Sequence, residues 1–341
     1  MELLERITSR IKRSEERSMR QEPAAPRLIL FLLVAACVFL AVGSLVSSQF
    51  AQQTVQGVAS GGVYASLALA LVLIYRATEV INFAQGEMGM FTTFIAWELM
   101  HKGLPYWPAF FLTLAIAFVG GFLLQRTVIR PVENAPVLAI VIVTIGLLIL
   151  LNGLAGWIWG TEIKSFPSAF PTRPINVGGV AFSLQDLGTI GVSLAAVVLL
   201  WLFFQFTKVG LAMRAAAVRP AAARLVGVRV SWMLGLGWGL AAVLGAISGL
   251  MIAPVVFLEP NMMETVLIYA FAAAVLGGIE SPVGAVVGGL ALGVLLNLVG
   301  TFAPVIKTHS ELRLPVALAV LLVVLLLKPS GIFGKATVRK A

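Results

Sequence analysis

Apolar runs separated by short polar breaks dictate what this chain can fold into. They lie near residues 28–46, 57–74, 83–97, 108–124, 137–158, 188–206, 233–256, 266–299 and 314–327. About 20 apolar residues in helical form cross the roughly 30 Å hydrocarbon layer of a bilayer. Backbone groups placed there must find partners within the protein, which leaves helices or a closed barrel. These runs are helix-length and do not alternate over about ten residues, so the barrel is excluded. With 60% hydrophobic and 11% charged residues over 341 positions, water is not the main solvent of the chain. The expected fold class is all-α: a polytopic transmembrane helical bundle.

The run at 266–299 is too long for one crossing, because about 34 residues rise roughly 51 Å as a helix. Its middle reads Gly277-Gly278-Ile279-Glu280-Ser281-Pro282-Val283-Gly284, and glycines, a proline and a carboxylate there indicate two helices joined by a tight turn. Ten spans result, and eight or nine with re-entrant pieces remain open, with at least one broken or short helix pair. Lys208, Arg214, Arg219, Arg224 and Arg229 crowd the connector 207–232, which has no acidic residue. By the positive-inside rule that connector is cytoplasmic. Arg126 and Arg130 mark a second inside loop, and Lys328, Lys335, Arg339 and Lys340 a basic cytoplasmic tail at 328–341. The longest opposite loop, 159–187, is balanced in charge. Ten spans then place both termini inside. Residues 1–27, with arginines at 6, 10, 13, 17 and 20 among glutamates, read as a polar cytoplasmic extension capable of a short surface helix. They lack the pattern of a cleavable signal. The membrane domain is expected to cover 28–327.

Several chemistries are excluded. Cys37 stands alone inside an apolar run, so neither a disulfide framework nor a thiolate metal site can form from this chain. His101 and His309 occupy separate polar connectors and read as solvated loop residues, so no metal site is expected. The net charge of +9 concentrates in particular connectors without interleaved aromatics, which argues against nucleic acid. Gly235-Leu236-Gly237-Trp238-Gly239-Leu240 has no preceding strand or following acidic ribose contact. Gly331-Ile332-Phe333-Gly334-Lys335-Ala336 lacks the spacing and hydroxyl of a phosphate loop. No cofactor is expected on this chain. A membrane enzyme is disfavoured as well, since no nucleophile with a neighbouring base appears.

The polar run from Tyr75 to Glu87 is the place where chemistry could reside. Desolvating its charged and amide groups costs several kcal/mol unless they are partnered. If the run is helical, Glu79, Asn82, Gly86 and Glu87 share one face and line a cavity or meet another helix. If it is a membrane-edge turn, the same groups face water and Arg76 pairs with Glu79. Physics leaves both readings open. Small residues four apart at Gly57/Gly61, Gly245/Gly249 and Gly284/Gly288 are packing positions that let helices approach closely. In the basic connector, Pro220 should start and Gly227 end a short helix over 220–226. It is either a topology anchor touching anionic lipid or a docking helix for a cytoplasmic partner.

These pieces together resemble the permease subunits of branched-chain amino-acid importers of the ATP-binding-cassette type, and specifically the H-type of the two paired permeases. The likeness covers roughly 57–335. It rests on Gly61-Gly62-Val63-Tyr64-Ala65, Ile81-Asn82-Phe83-Ala84-Gln85-Gly86-Glu87, Gly210 through Gly227, Leu276-Gly277-Gly278-Ile279, Gly284 with Gly288-Gly289, and Lys328-Pro329-Ser330-Gly331-Ile332. The resemblance implies a subunit of the bacterial cytoplasmic membrane that pairs with a second homologous permease. It further implies two cytoplasmic ATPases using ATP and Mg, an extracytoplasmic solute-binding protein, and membrane lipid as surroundings. The cargo would be branched-chain amino acids or related small polar solutes. Arg214, Arg219, Pro220, Ala222, Arg224 and Gly227 would form the element that couples to an ATPase. Tyr64, Asn82, Gln85, Glu87, Glu280 and Ser281 are candidates for the substrate path. The sequence departs from the family at Gln85, where His is usual, at Val218-Arg219-Pro220, which replaces acidic or amide residues, and at Glu280, which replaces glycine. An alternative of another class is a self-contained channel or secondary transporter, with Glu87 or Glu280 as its proton or cation site.

Overall fold

The computed structural model describes Gly43 and residues 47–133, 135–177, 180–309 and 312–334. The expected polar extension at 1–27, the first apolar run at 28–46 with Cys37, and the tail from Lys335 onward lie outside or almost outside the described residues. The chain divides into two compact units, 1–51 and 52–341, and the helical bundle belongs to the second.

Its helices are α1 (Ser48–Thr78), α2 (Gln85–His101), α3 (Tyr106–Leu124), α4 (Val137–Trp159), α5 (Leu184–Phe206), α6 (Lys208–Val218), α7 (Pro220–Leu225), α8 (Val230–Val256), α9 (Glu264–Gly277), α10 (Pro282–Phe302), α11 (Pro304–Thr308) and α12 (Arg313–Leu327). Among the described residues, six segments are long and apolar enough to cross a membrane: α1, α3 with its extension to Val132, α4, α5, α8 and α10. The 14-residue α9 and 15-residue α12 are apolar but shorter. The protein is thus an all-α polytopic membrane bundle. The small exception is a hairpin in the connector after α4, where β1 (Pro174–Val177) pairs antiparallel with β2 (Val180–Ser183) in the register Ile175 to Phe182.

α1 and α8 are the inner helices, buried over most of their length, whereas α4 and α5 expose most of theirs. In lipid no hydrophobic drive separates inside from outside, so close backbone approach has to hold the inner helices. α1 runs against α10: a Cβ at Gly57 would lie 2.6 Å from Val294 Cα, and one at Gly61 2.8 Å from Leu290 Cα. A Cβ at Gly289 would stand 2.5 Å from Ala65 Cα in the same seam. α8 is tied to α1 by Ser248 Oγ, which donates to the Val63 carbonyl at 3.2 Å. Gly284 and Gly288 of α10 press on the backbone of Gly277 and Ala273 in α9.

The long run at 266–299 breaks as two helices. α9 ends at Gly277, Gly278 turns at φ +105°, and Ser281 caps α10 by accepting from Gly284 N–H at 3.0 Å. Pro282 occupies the first turn, where its missing N–H costs nothing. A strap formed by residues 328–334 closes the same end. Ile332 N–H donates to Leu276 O and Phe333 N–H to Gly277 O, each at 2.9 Å, supplying donors to carbonyls that the end of α9 would leave orphaned. Lys328 Nζ donates to Ile332 O at 2.6 Å, and Gly331, at φ +76°, lies back to back with Gly278.

Two non-glycine residues among the described ones have positive φ: Glu79 at 57° and Phe257 at 64°. Each follows the last residues of an inner helix, α1 or α8. Each opens a non-helical stretch that leads into a shorter helix, α2 or α9.

Candidate functional site

The depth of α2 follows from its contacts with α8. Gln85 Nε2 donates to Ala241 O at 2.9 Å, and a Cβ on Gly89 would meet Gly245 O at 2.7 Å. α8 has 27 residues, about 40 Å of helix, and Ala241 and Gly245 flank its middle. The first turn of α2 therefore stands near the centre of the hydrocarbon layer. The first turn of α9 stands beside it, since a Cβ on Gly86 would be 3.2 Å from Leu267 Cβ and 3.4 Å from Met263 O. Two helix N-termini thus meet at mid-depth, one helix departing toward each face. The polar run 75–87 is neither of the two forms expected from sequence. Helix α1 persists to Thr78, the chain is non-helical over 79–84, and helix resumes at Gln85. Glu79 and Asn82 do not share a helical face with Glu87.

Around this junction the polar groups fall into two sets. Asn82 and Gln85 are fully buried on the α8 side. Asn82 Oδ1 accepts from Ala84 N–H at 3.1 Å, and its Nδ2 donates to Gln85 Oε1 at 3.3 Å, so the pair clamps the broken backbone to Ala241. Glu87 points the other way. It is 5% exposed, and its Oε2 has no hydrogen-bond partner. It sits beside the side chain of Asn152 on α4 and within electrostatic reach of Glu264. Asn152 Nδ2 donates to Pro260 O and to Asn261 Oδ1, each at 3.1 Å. Asn261, Glu264 and Thr265 are exposed. One turn and a half further along α9, Tyr269 packs on Tyr64 with ring centroids 5.2 Å apart.

The structure therefore brings Tyr64 and Glu87 to one region, with Asn82 and Gln85 behind them. Glu280 and Ser281 are elsewhere, at the far end of α9, about 20 Å away by the helical rise. Asn152, Asn261, Glu264 and Tyr269 join the site without having been singled out from sequence. Asn152 did carry a signal, as the lone amide in the apolar run 137–158.

The basic connector forms a separate structure. Thr207 caps α6 by accepting from Gly210 N–H at 2.9 Å. Arg219 separates α6 from α7, Pro220 opens α7, and Gly227 reverses the chain at φ +83°. α7 ends at Leu225, within a residue of the length read from sequence. Ala223 anchors it by packing with Ala216 and Val230. Ala222, Arg219 and Arg224 are exposed, and so are the apolar Val218, Val226 and Leu225, the last at 89%. Arg214 points back toward α5, donating from Nη1 to Gln205 Oε1 at 3.4 Å. The remaining glycines noted for packing, Gly245 and Gly249, face Gln85 and Gly89 of α2.

Comparison with known proteins agrees in class with this architecture. Residues 53–327 match the family described as the branched-chain amino acid transport system / permease component. The chain is 30% identical over 309 residues to the high-affinity branched-chain amino acid transport system permease protein LivH of Escherichia coli (strain K12), covering 85% of this chain and 97% of that protein. It is 29% identical over 306 residues to the corresponding permease protein BraD of Pseudomonas aeruginosa, covering 85% and 98%. A solved structure of PsaBC from Streptococcus pneumoniae in complex with Fab is similar at a TM-score of 0.45 and 15% identity, over 84% of this chain and 94% of that one. A match spanning most of the chain, on a bundle of membrane-crossing helices, identifies an integral membrane transport component, and the chain belongs to the branched-chain amino acid transport system permease family.

Proposed function

We propose that this permease carries branched-chain amino acids or related small polar solutes along a path that passes the junction of α2 and α9. The observation that supports this reading is the exposure of Asn261, Glu264 and Thr265 at mid-depth beside the nearly buried Glu87. Carboxylates and amides at that level are costly against lipid. They are tolerated where irregular backbone lines an aqueous cavity or is covered by protein, as on a path shared with a second permease subunit. The free Oε2 of Glu87 is an acceptor and suits a solute that brings N–H donors. Tyr64 and Tyr269 offer ring faces next to it. Asn82 and Gln85 hold the start of α2 in place, and Glu280 and Ser281 mark the cytoplasmic mouth.

The energy source is separate from this chain. Of two cytoplasmic ATPases using ATP and Mg, one docks on α7, whose exposed Leu225 and Val226 stand outside the crossing helices where water makes them expensive. Arg214, Arg219, Pro220, Ala222, Arg224 and Gly227 shape that element. An extracytoplasmic binding protein delivers the solute, and both termini lie in the cytoplasm of a cell whose inner membrane holds the assembly.

Purification of the tagged chain from its native membrane in mild detergent tests the assembly. Recovery with a second permease and ATPases is expected, whereas recovery alone or as a homo-oligomer supports a self-contained channel or secondary transporter. In the assembled complex, Glu87→Gln is expected to reduce leucine uptake at least tenfold with assembly unchanged. Unaltered uptake would remove Glu87 from the path.

A further inference from the structure

At the face that carries α6 and α7, a cavity of about 400 Å³ opens between the end of α1, the end of α5, α6, and the starts of α8 and α10. Its volume lies within the roughly 300–1,000 Å³ of small-molecule sites. Leu69, Leu73, Val197, Phe204 and Val286 line it with hydrocarbon, and Trp201 and Val283 stand exposed on its wall. Arg76 and Arg214 are the charged residues of the lining. Among the described residues neither forms an ion pair with a carboxylate. Arg214 Nε is buried without a hydrogen-bond partner, which leaves a donor needing an acceptor.

The order of these groups has a direction. Leu69 precedes Arg76 by two turns of α1, so the apolar part of the cavity lies deeper than the guanidinium on that helix. Arg214 belongs to α6, beyond the end of α5. Hydrocarbon below and two cations above, at the level where the crossing helices end, complement a molecule with an apolar chain and an anionic head. α5 forms one wall and is the most exposed of the six crossing helices, so the opening can be reached sideways from the bilayer. A free anion would leave the apolar part unfilled, and an apolar partner helix would leave the Arg214 donor unmet.

We propose that this cavity holds an acyl chain of an anionic phospholipid, whose phosphate oxygens accept from Arg76 and Arg214. Two cations near one phosphate favour the anionic lipid over a zwitterionic one by roughly tenfold to thirtyfold. The lipid stands where α6 joins α5, and it fixes the angle at which α6 and α7 leave the bundle.

Native mass spectrometry of the purified full-length chain, titrated with phosphatidylglycerol or phosphatidylcholine of the same acyl composition, measures the preference. Phosphatidylglycerol should be retained about tenfold or more tightly. The double variant Arg76→Gln/Arg214→Gln should bring the two lipids to parity, and Arg173→Gln, in the connector before β1, should change nothing. Val286→Trp fills the cavity and keeps both arginines, so it should also abolish the preference in a chain that elutes as a single species. Inorganic phosphate should not displace the lipid. Equal retention of the two lipids by the native chain overturns the proposal, as does an equal loss in Arg173→Gln. Displacement by inorganic phosphate reassigns the site to a free anion. Exclusion of phosphatidylglycerol from the assembled importer assigns it to a partner protein.

Discussion

Gly61→Ala is the sharpest test of how the inner helices are held. A Cβ at this position would stand 2.8 Å from Leu290 Cα, 2.9 Å from Gly289 O and 3.0 Å from Leu290 O. Non-bonded carbons rest at about 3.5–4.0 Å, so α10 has to withdraw by about 0.7 Å or more. All three obstacles are backbone atoms, and no rotamer change can clear them. A radial gap of about 0.5–1 Å forfeits a quarter to a half of each dispersion contact, and the loss extends along the seam to Gly57 and Gly289. The expected cost is about 1–3 kcal/mol, the range for an added methyl group in a packed interior. Gly120→Ala is the control. Gly120 also lies within a helix, but nothing stands within 4 Å of its Cβ position, and alanine there gains up to about 1 kcal/mol of helix propensity. Unfolding of both variants and the parent chain in one detergent, followed by circular dichroism against a denaturing surfactant, gives the comparison. A Gly61→Ala protein as stable as Gly120→Ala would refute backbone contact between α1 and α10.

Other outcomes follow from single sites. Phe257, half exposed at φ 64° and ψ 163°, occupies a region that glycine alone adopts easily, at about 1–3 kcal/mol of strain. Phe257→Gly should stabilise the chain by about 1 kcal/mol once glycine's greater unfolded entropy is offset, and a lower unfolding midpoint would contradict that geometry. Gln85→Leu removes the donor to Ala241 O and the acceptor for Asn82, so about 1–3 kcal/mol of stability should be lost. Gln85→Glu should be no milder, since the Ala241 carbonyl can only accept. Ala222→Glu puts a charge on the exposed side of α7, and substrate-stimulated ATP turnover of the assembled complex should fall while the isolated chain unfolds as before. Normal turnover would separate α7 from coupling.

What could be read from the sequence was what local chemistry decides. The break inside 266–299 followed from Gly277-Gly278 and Pro282, and α7 from Pro220 and Gly227, because cap and turn residues act on their immediate neighbours. The arrest of α1 near Thr78 carried no such mark. Glu79 adopts positive φ there without being glycine, held by a clamp whose far end, Ala241, is 156 residues away from Gln85. Depth in the bilayer is likewise a property of the packed bundle. Glu264 looks in sequence like an ordinary acidic residue before an apolar run, and only the contacts of Gly86 with Met263 and Leu267 bring it level with Glu87. The same holds for Asn152, whose isolation among apolar neighbours was visible but whose partners on the stretch after α8 were not.

The strap at 328–334 carries a consequence for how the protein is made. During synthesis α9 and α10 leave the ribosome before residues 328–334 do. Until then the carbonyls of Leu276 and Gly277 lack the donors that Ile332 and Phe333 later supply, and Gly278 lacks the glycine that backs it. The turn between α9 and α10 is therefore latched only once residues 328–334 reach it. A chain truncated before Lys328 would keep that turn without the donors of Ile332 and Phe333.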